Sequence, residues 1–112
     1  MAFQRGEVVL VPFPAGDLAT TKTRPAVIVS SDTFSAAEGR LLIAGVTSNV
    51  AAHRNAASYE LPDWTRAGLK KPSVVTSWLA CITARVVVHK VGALTAAEMG
   101  EVGKKLRIAM EL

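Results

Sequence analysis

The chain has 112 residues, half of them hydrophobic, which is enough apolar material for one core and not for two. A formal charge of +4 favours polyanionic partners, either nucleic acid or an acidic protein segment. No apolar run is long enough to cross a bilayer, and the opening Met1 to Glu7 lacks the apolar stretch of a secretory leader, so a cytoplasmic protein without a membrane role is expected.

In chain order, Glu7-Val8-Val9-Leu10-Val11 predicts a first strand from its β-branched content, closed by Pro12 and Pro14 because proline cannot donate to a ladder. Ala15 to Thr23 is a polar loop with Gly16 and Asp17 as turn residues. A second strand covers Ala26 to Ser30, entered through Arg24-Pro25, and residues 32–39 form a short helical turn or a loop. Leu41 to Val46 is the third strand, ending in Thr47-Ser48-Asn49. A polar connection spans Val50 to Ala57, Tyr59 to Leu61 is a short strand, and Pro62 to Pro72 is another loop. Ser73 to Val75 and Val86 to Lys90 complete the strands. Cys81, the single cysteine, excludes an internal disulfide and a multi-cysteine metal site. Its neighbours Trp78, Leu79, Ala80 and Ile82 predict a buried, inert thiol.

The one clear helix is C-terminal. Thr95-Ala96-Ala97-Glu98 fits a capping box, Leu94 and Met99 fit a hydrophobic staple, and Met99, Val102, Leu106 and Ala109 or Met110 recur at helical spacing. Lys104, Lys105 and Arg107 sit where cations suit the helix dipole. The whole reads as a single domain over 1–112, mainly β (α+β): a small, curved antiparallel barrel with a C-terminal helix packed on it.

The candidate chemistry is sparse. His53 and His89 have no partner at metal-ligand spacing, no phosphate-binding glycine loop exists, and no carboxylate pair stands out, so no metal or cofactor is expected. Arg24 precedes Pro25, which biases it to an extended conformation, and its guanidinium can grip a phosphate bidentately. On spacing alone, a surface arginine that solubilises its loop explains it better. Thr47, Ser48 and Asn49 end an apolar strand with three hydrogen-bonding side chains, able to hold a phosphate oxygen, although turn chemistry explains them better on pattern alone. His53-Arg54 can assist proton transfer and hold a phosphate, and reads equally as a solvated loop pair. His89 reads as structural or edge-facing. Lys22, Arg66, Lys70 and Lys71 add positive charge to the loops. Trp64, flanked by polar residues, is the best exposed candidate for stacking on a base, and Phe13 is next.

The motifs taken together resemble the PemK/MazF-like toxin family. Gly6-Glu7-Val8-Val9-Leu10-Val11-Pro12-Phe13-Pro14 is similar to the family opening. Thr23-Arg24-Pro25-Ala26-Val27-Ile28-Val29-Ser30 resembles its Arg-Pro-Ala signature, and Val46-Thr47-Ser48-Asn49 its Thr-Ser strand end. Leu61 to Ser73 resembles the later Asp-Trp, Ala-Gly-Leu and Lys-Pro-Ser block, and Val91-Gly92-Ala93-Leu94 also fits. The resemblance implies an SH3-like barrel that dimerises; small curved sheets leave apolar patches that a second copy can cover, and Trp78 to Ile82 and the last helix are the candidate surface. It also implies a toxin that cuts single-stranded RNA at short sequences and is neutralised by an antitoxin with an acidic, disordered tail. Arg24 and Thr47 match the catalytic arginine and threonine, and the RNA's own 2′-hydroxyl attacks the phosphorus, leaving a 2′,3′-cyclic phosphate and a 5′-hydroxyl without a metal. Lys22, Ser48, Asn49, His53, Arg54, Trp64, Phe13 and Lys70 are the expected RNA contacts. Ala19 stands where some members carry glutamate, so the general base is unassigned. Two other functions are compatible with this barrel: a non-catalytic toxin that binds DNA gyrase, which uses a tryptophan near the C-terminus absent from Arg107 to Leu112, and a module that binds nucleic acid without cutting it.

Overall fold

The structure, a computed structural model, describes residues 2–14 and 21–112, with the backbone alone at positions 13, 14 and 21. The expected turn at Gly16 and Asp17, and Ala19, lie outside the described residues. The strands are β1 (Glu7–Pro14), β2 (Thr21–Ile28), β3 (Arg40–Thr47), β4 (Tyr59–Glu60), β5 (Val74–Thr83) and β6 (His89–Ala93). Helix α1 (Asp32–Glu38) lies between β2 and β3, and α2 (Ala96–Met110) follows β6. The strands make one curled antiparallel sheet in the order β4-β5-β3-β2-β1-β6. No helix among the described residues is long and apolar enough to cross a membrane.

The elements follow from local chemistry. Ser31 caps α1 by accepting from the Phe34 N–H at 3.0 Å, and Gly39 ends it at φ 66°. Thr95 and Glu98 form the full capping box of α2: Glu98 N–H donates to Thr95 Oγ1 at 3.1 Å and Thr95 N–H to Glu98 Oε1 at 2.8 Å. Met99, Val102 and Leu106 are buried as the spacing predicts, but Ala109 and Met110 are exposed, so the stripe ends one turn early. Burying Val102 contributes about 1.5–3 kcal/mol. The cap contributes ~1 kcal/mol. Packing therefore outweighs capping in holding α2 on the sheet.

The centre of the sheet, β1 to β3, is buried on both faces, which is why these strands read as continuous apolar runs rather than alternating ones. Val8, Val27, Ala44 and Val46 join Met99, Val102 and Leu106 of α2 in one cluster. Their neighbours Val9, Ala26, Ile28 and Ile43 form a second cluster, against which Phe3, Ala80, Ile82 and Val87 pack.

Several expectations are corrected. Strand β2 begins at Thr21, inside the expected polar loop, and ends at Ile28 rather than Ser30. Strand β1 does not stop at Pro12: it stays paired through Pro14↔Thr21. Beyond Leu10, β1 has lost its β6 partner, and a proline costs little where one side of the strand is an edge. The short strand at Ser73 to Val75 is the start of the ten-residue β5, while residues 84–86 form a 3-10 turn and the last strand begins at His89 rather than Val86. Cys81 is exposed, not buried. Alternation along β5 turns Ala80 and Ile82 toward the second cluster and leaves Cys81 outside.

Candidate functional site

The site forms where β2 and β3 part. Their ladder pairs Ile28↔Ile43, Val27↔Ala44 and Ala26↔Gly45. The same register carried two residues further sets Arg24 opposite Thr47, but the bonded ladder ends at Ala26. Strand β3 also shifts register against β5 between Ala44 and Val46, a bulge that increases local twist. The opening is the mouth of a groove of about 480 Å³. Leu10, Pro25, Val46, Leu69 and Val91 give it apolar surface, and Arg24, Thr47, Ser48, Lys70, Lys71, Ser73 and His89 supply its polar groups.

The charge of this groove has one sign. Arg24, Lys70 and Lys71 line it, and no carboxylate is among the described residues that do. Low-dielectric walls focus such a field on an anion. Arg24 is half-buried, and its Nε is buried with no hydrogen-bond partner among the described residues. An unmet buried donor costs about 1–3 kcal/mol. A ligand acceptor would recover that cost. Thr47 Oγ1 accepts from the Asn49 N–H at 3.1 Å, which leaves its own hydroxyl proton free to donate.

The lysine pair is held by a braced loop. Leu69 N–H donates to Trp64 O at 3.0 Å and Ala67 N–H to Asp63 O at 3.3 Å, while Ser73 Oγ–H donates to Lys71 O at 2.8 Å. Arg66 lies 3.7 Å from Glu98, tying the loop to α2. His89 comes from the start of β6. The register His89↔Leu10↔Pro25 runs straight across β6, β1 and β2, so these three share one face. The start of β6 is pinned by Lys90 Nζ, 2.6 Å from Glu7 Oε2, and that carboxylate's Oε1 accepts from Gln4 N–H at 2.7 Å.

The predicted residues divide into three groups. Arg24, Thr47, Ser48 and Lys70 come together in the groove, and exposed Asn49 adjoins it through its bond to Thr47. Lys22 is exposed on β2, two residues from Arg24, and does not line the groove. His53 and Arg54 line a separate cavity of about 310 Å³ with Asn55, Ser58, Glu60 and Val74. Phe13 is paired with Lys22 through its backbone, and its side chain lies outside the described residues. Trp64 is not an exposed stacking surface: it is half-buried against the α2-side core. Trp78 is the exposed tryptophan, at 52%, and meets the His53 ring edge-on at 4.6 Å. Sequence reasoning missed His89 as a groove residue, because only long-range pairing with Leu10 brings it there. Tyr59, packed against the α2-side core, keeps its phenol protonated: burial first, then the charges of Glu98 and Glu101, raise its pKa above the ordinary 10.0. Among the described residues no group of three His, Cys, Asp or Glu side chains is arranged to hold a metal.

This fold has solved counterparts. An endoribonuclease from a mycobacterial species, in complex with its cognate antitoxin, superimposes with a TM-score of 0.78 at 17% identity, covering 99% of this chain and 97% of that one. The Mycobacterium tuberculosis toxin MazF-mt6 gives 0.76 at 20% identity, covering 95% and 97%. A MazE–MazF structure from Deinococcus radiodurans gives 0.77 at 20% identity, covering 100% and 99%. At these identities the likeness is one of fold. No curated protein matches by sequence. Residues 4–110 do match a sequence family, and the chain belongs to it: the PemK-like, MazF-like toxins of type II toxin–antitoxin systems.

Proposed function

We propose that this toxin is an endoribonuclease that cuts single-stranded RNA at short sequences, using the substrate's 2′-hydroxyl as nucleophile and no metal. The observation that carries the reading is the buried, unpartnered Arg24 Nε in the same cationic groove as the Thr47 hydroxyl. RNA phosphodiester cleavage needs a group that stabilises a phosphorane carrying extra negative charge, and a preorganised donor in a desolvated site does so most strongly. Arg24 donates to the phosphorane oxygens bidentately, and Thr47 donates to one of them. Lys70 and Lys71 hold the flanking phosphates.

The proton balance needs an acceptor, and His89 fills that role, since imidazole is the side chain best suited to exchange protons near neutrality. The 2′-oxygen loses its proton to His89 and bonds to phosphorus. The bond to the 5′-oxygen breaks, and that oxygen takes a proton from the Lys71 ammonium, which solvent restores as His89 releases its own proton to solvent. The products are a 2′,3′-cyclic phosphate and a 5′-hydroxyl.

The same charge distribution suits an antitoxin whose acidic segment competes with RNA for the groove. The mycobacterial and Deinococcus relatives solved with antitoxins support that partner. A homodimer and a cytoplasmic site of action complete the reading. The test is incubation of purified protein with mixed-sequence RNA in excess EDTA, with the cut ends mapped. Cyclic phosphate and 5′-hydroxyl ends at a short recurring sequence are expected. Intact RNA that is nonetheless bound would favour a module that grips nucleic acid without cutting it, and a strict requirement for added Mg²⁺ would overturn the metal-free mechanism.

A further inference from the structure

The second cavity has the chemistry of a base-reading site. Thr47 pairs with Val74, and Val74 pairs with Glu60, so one straight row crosses β3, β5 and β4. Residues in such a row share a face, and neighbouring strands are ~4.8 Å apart. Glu60 therefore stands roughly 10 Å from Thr47 along the sheet. That is the reach from a phosphate held at Thr47 to the base of an adjoining nucleotide. The cavity of about 310 Å³ opens at this distance and on this row.

Its walls are preformed. Asn55 Oδ1 accepts from Ala57 N–H at 2.9 Å, Ser58 N–H donates to Asn55 O at 3.2 Å, and Asn55 N–H donates to His53 O at 3.1 Å. The His53 ring is set against Trp78. Buried Val74 closes the bottom of the cavity. At the mouth, Arg54 Nε lies 3.8 Å from Glu60 Oε2, with the two side chains 66% and 54% exposed. That separation is too long for a hydrogen bond, and an exposed pair of this kind holds the fold together very little. Both groups are free to turn to a ligand.

A carboxylate beside a guanidinium is selective among bases. Guanine alone presents two adjacent N–H donors, N1 and the 2-amino group, which one carboxylate can accept together, with the O6 and N7 acceptors on the neighbouring edge for a guanidinium. Adenine, cytosine and uracil each lack one half of that pattern. We infer that this cavity is a guanine subsite next to the scissile phosphate, with Glu60 accepting from N1 and the 2-amino group and Arg54 donating to O6 and N7. The inference rests on the ribonuclease reading and names the base that the same surface selects.

The experiment uses short 2′-O-methyl RNA oligonucleotides, which lack the attacking hydroxyl and stay intact on the wild-type protein. Affinity is measured by fluorescence anisotropy for sequences containing guanine and for the same sequences with inosine, which lacks only the 2-amino group. Guanine should bind about 10-fold more tightly than inosine, the discrimination expected of one bidentate contact. The difference should vanish in Glu60→Gln, whose fold is checked by its melting temperature. Equal affinity for guanine and inosine, a difference that survives Glu60→Gln, a preference for another base, or no binding at all would each overturn the subsite. Cleavage of ordinary RNA is measured in parallel. Guanine-selective binding without cleavage would sink the nuclease reading and leave the subsite standing, whereas cleavage indifferent to guanine would sink the subsite alone.

Discussion

Gly68 and Gly92 meet backbone to backbone. A Cβ built on Gly68 would collide with the carbonyl oxygen of Val91, and one on Gly92 with that of Ala67. Gly68 also sits at φ 90°, where a side chain is strained whatever the space. This contact docks the 62–72 loop onto β6 and so brings Lys70 and Lys71 to the groove that His89 also lines. The clash is with main chain, which no rotamer change can relieve. Gly92→Ala should therefore cost about 2–3 kcal/mol, toward the upper end for overpacking. Its melting temperature should fall by on the order of 10 °C. RNA affinity should fall with it, as the lysines lose their position. A variant that melts and binds like the wild type would show that the loop docks without this contact.

Removing Arg24 should separate stability from activity. Its Nε has no partner to lose, so Arg24→Ala should melt at or above the wild-type temperature while cleavage falls ~10²-fold or more. Arg24→Lys should recover little, because an ammonium cannot make the bidentate contact. Wild-type cleavage by a verified Arg24→Ala preparation would remove this residue from the mechanism.

His89→Gln tests the proton acceptor. The glutamine variant should lose ~10²-fold or more in the rate of the cleavage step. Its affinity for 2′-O-methyl RNA, which cannot be cut, should stay within about 2-fold of the wild type, because glutamine keeps much of the shape. A residue that only lines the wall would lower affinity and leave the cleavage step as it was. An unchanged cleavage step would assign the base elsewhere.

Strand β5 and the segment after it expose Trp78 (52%), Leu79 (43%), Val86 (40%) and Val88 (63%). Apolar surface of this kind on a small domain is suited to a second copy. Leu79→Glu should convert the dimer to a monomer of unchanged secondary structure, as read by light scattering and circular dichroism. A wild-type protein that is monomeric at high micromolar concentration would refute the dimer, and a Leu79→Glu protein that stays dimeric would place its interface on another face.

Helix α2 was legible because a capping box and a three- and four-residue stripe are local signals, and strands β1 to β3 because runs such as Val27-Ile28-Val29 admit little else. Arg24 and Thr47 were legible through their motifs, and the scarcity of histidine, cysteine and paired carboxylates was visible in composition. The extent of β5 was not legible, since its apolar residues face a core on one side and solvent on the other. Trp64 was misplaced for a similar reason: polar neighbours in sequence left it reading as exposed, yet its loop folds back on the α2-side core, and the exposed tryptophan is Trp78. The sequence by itself determined which residues could bear charge and which segments had to pair. Tertiary structure decided which of them share a wall, because the registers His89↔Leu10↔Pro25 and Thr47↔Val74↔Glu60 join distant residues through backbone hydrogen bonds that leave no local periodicity behind.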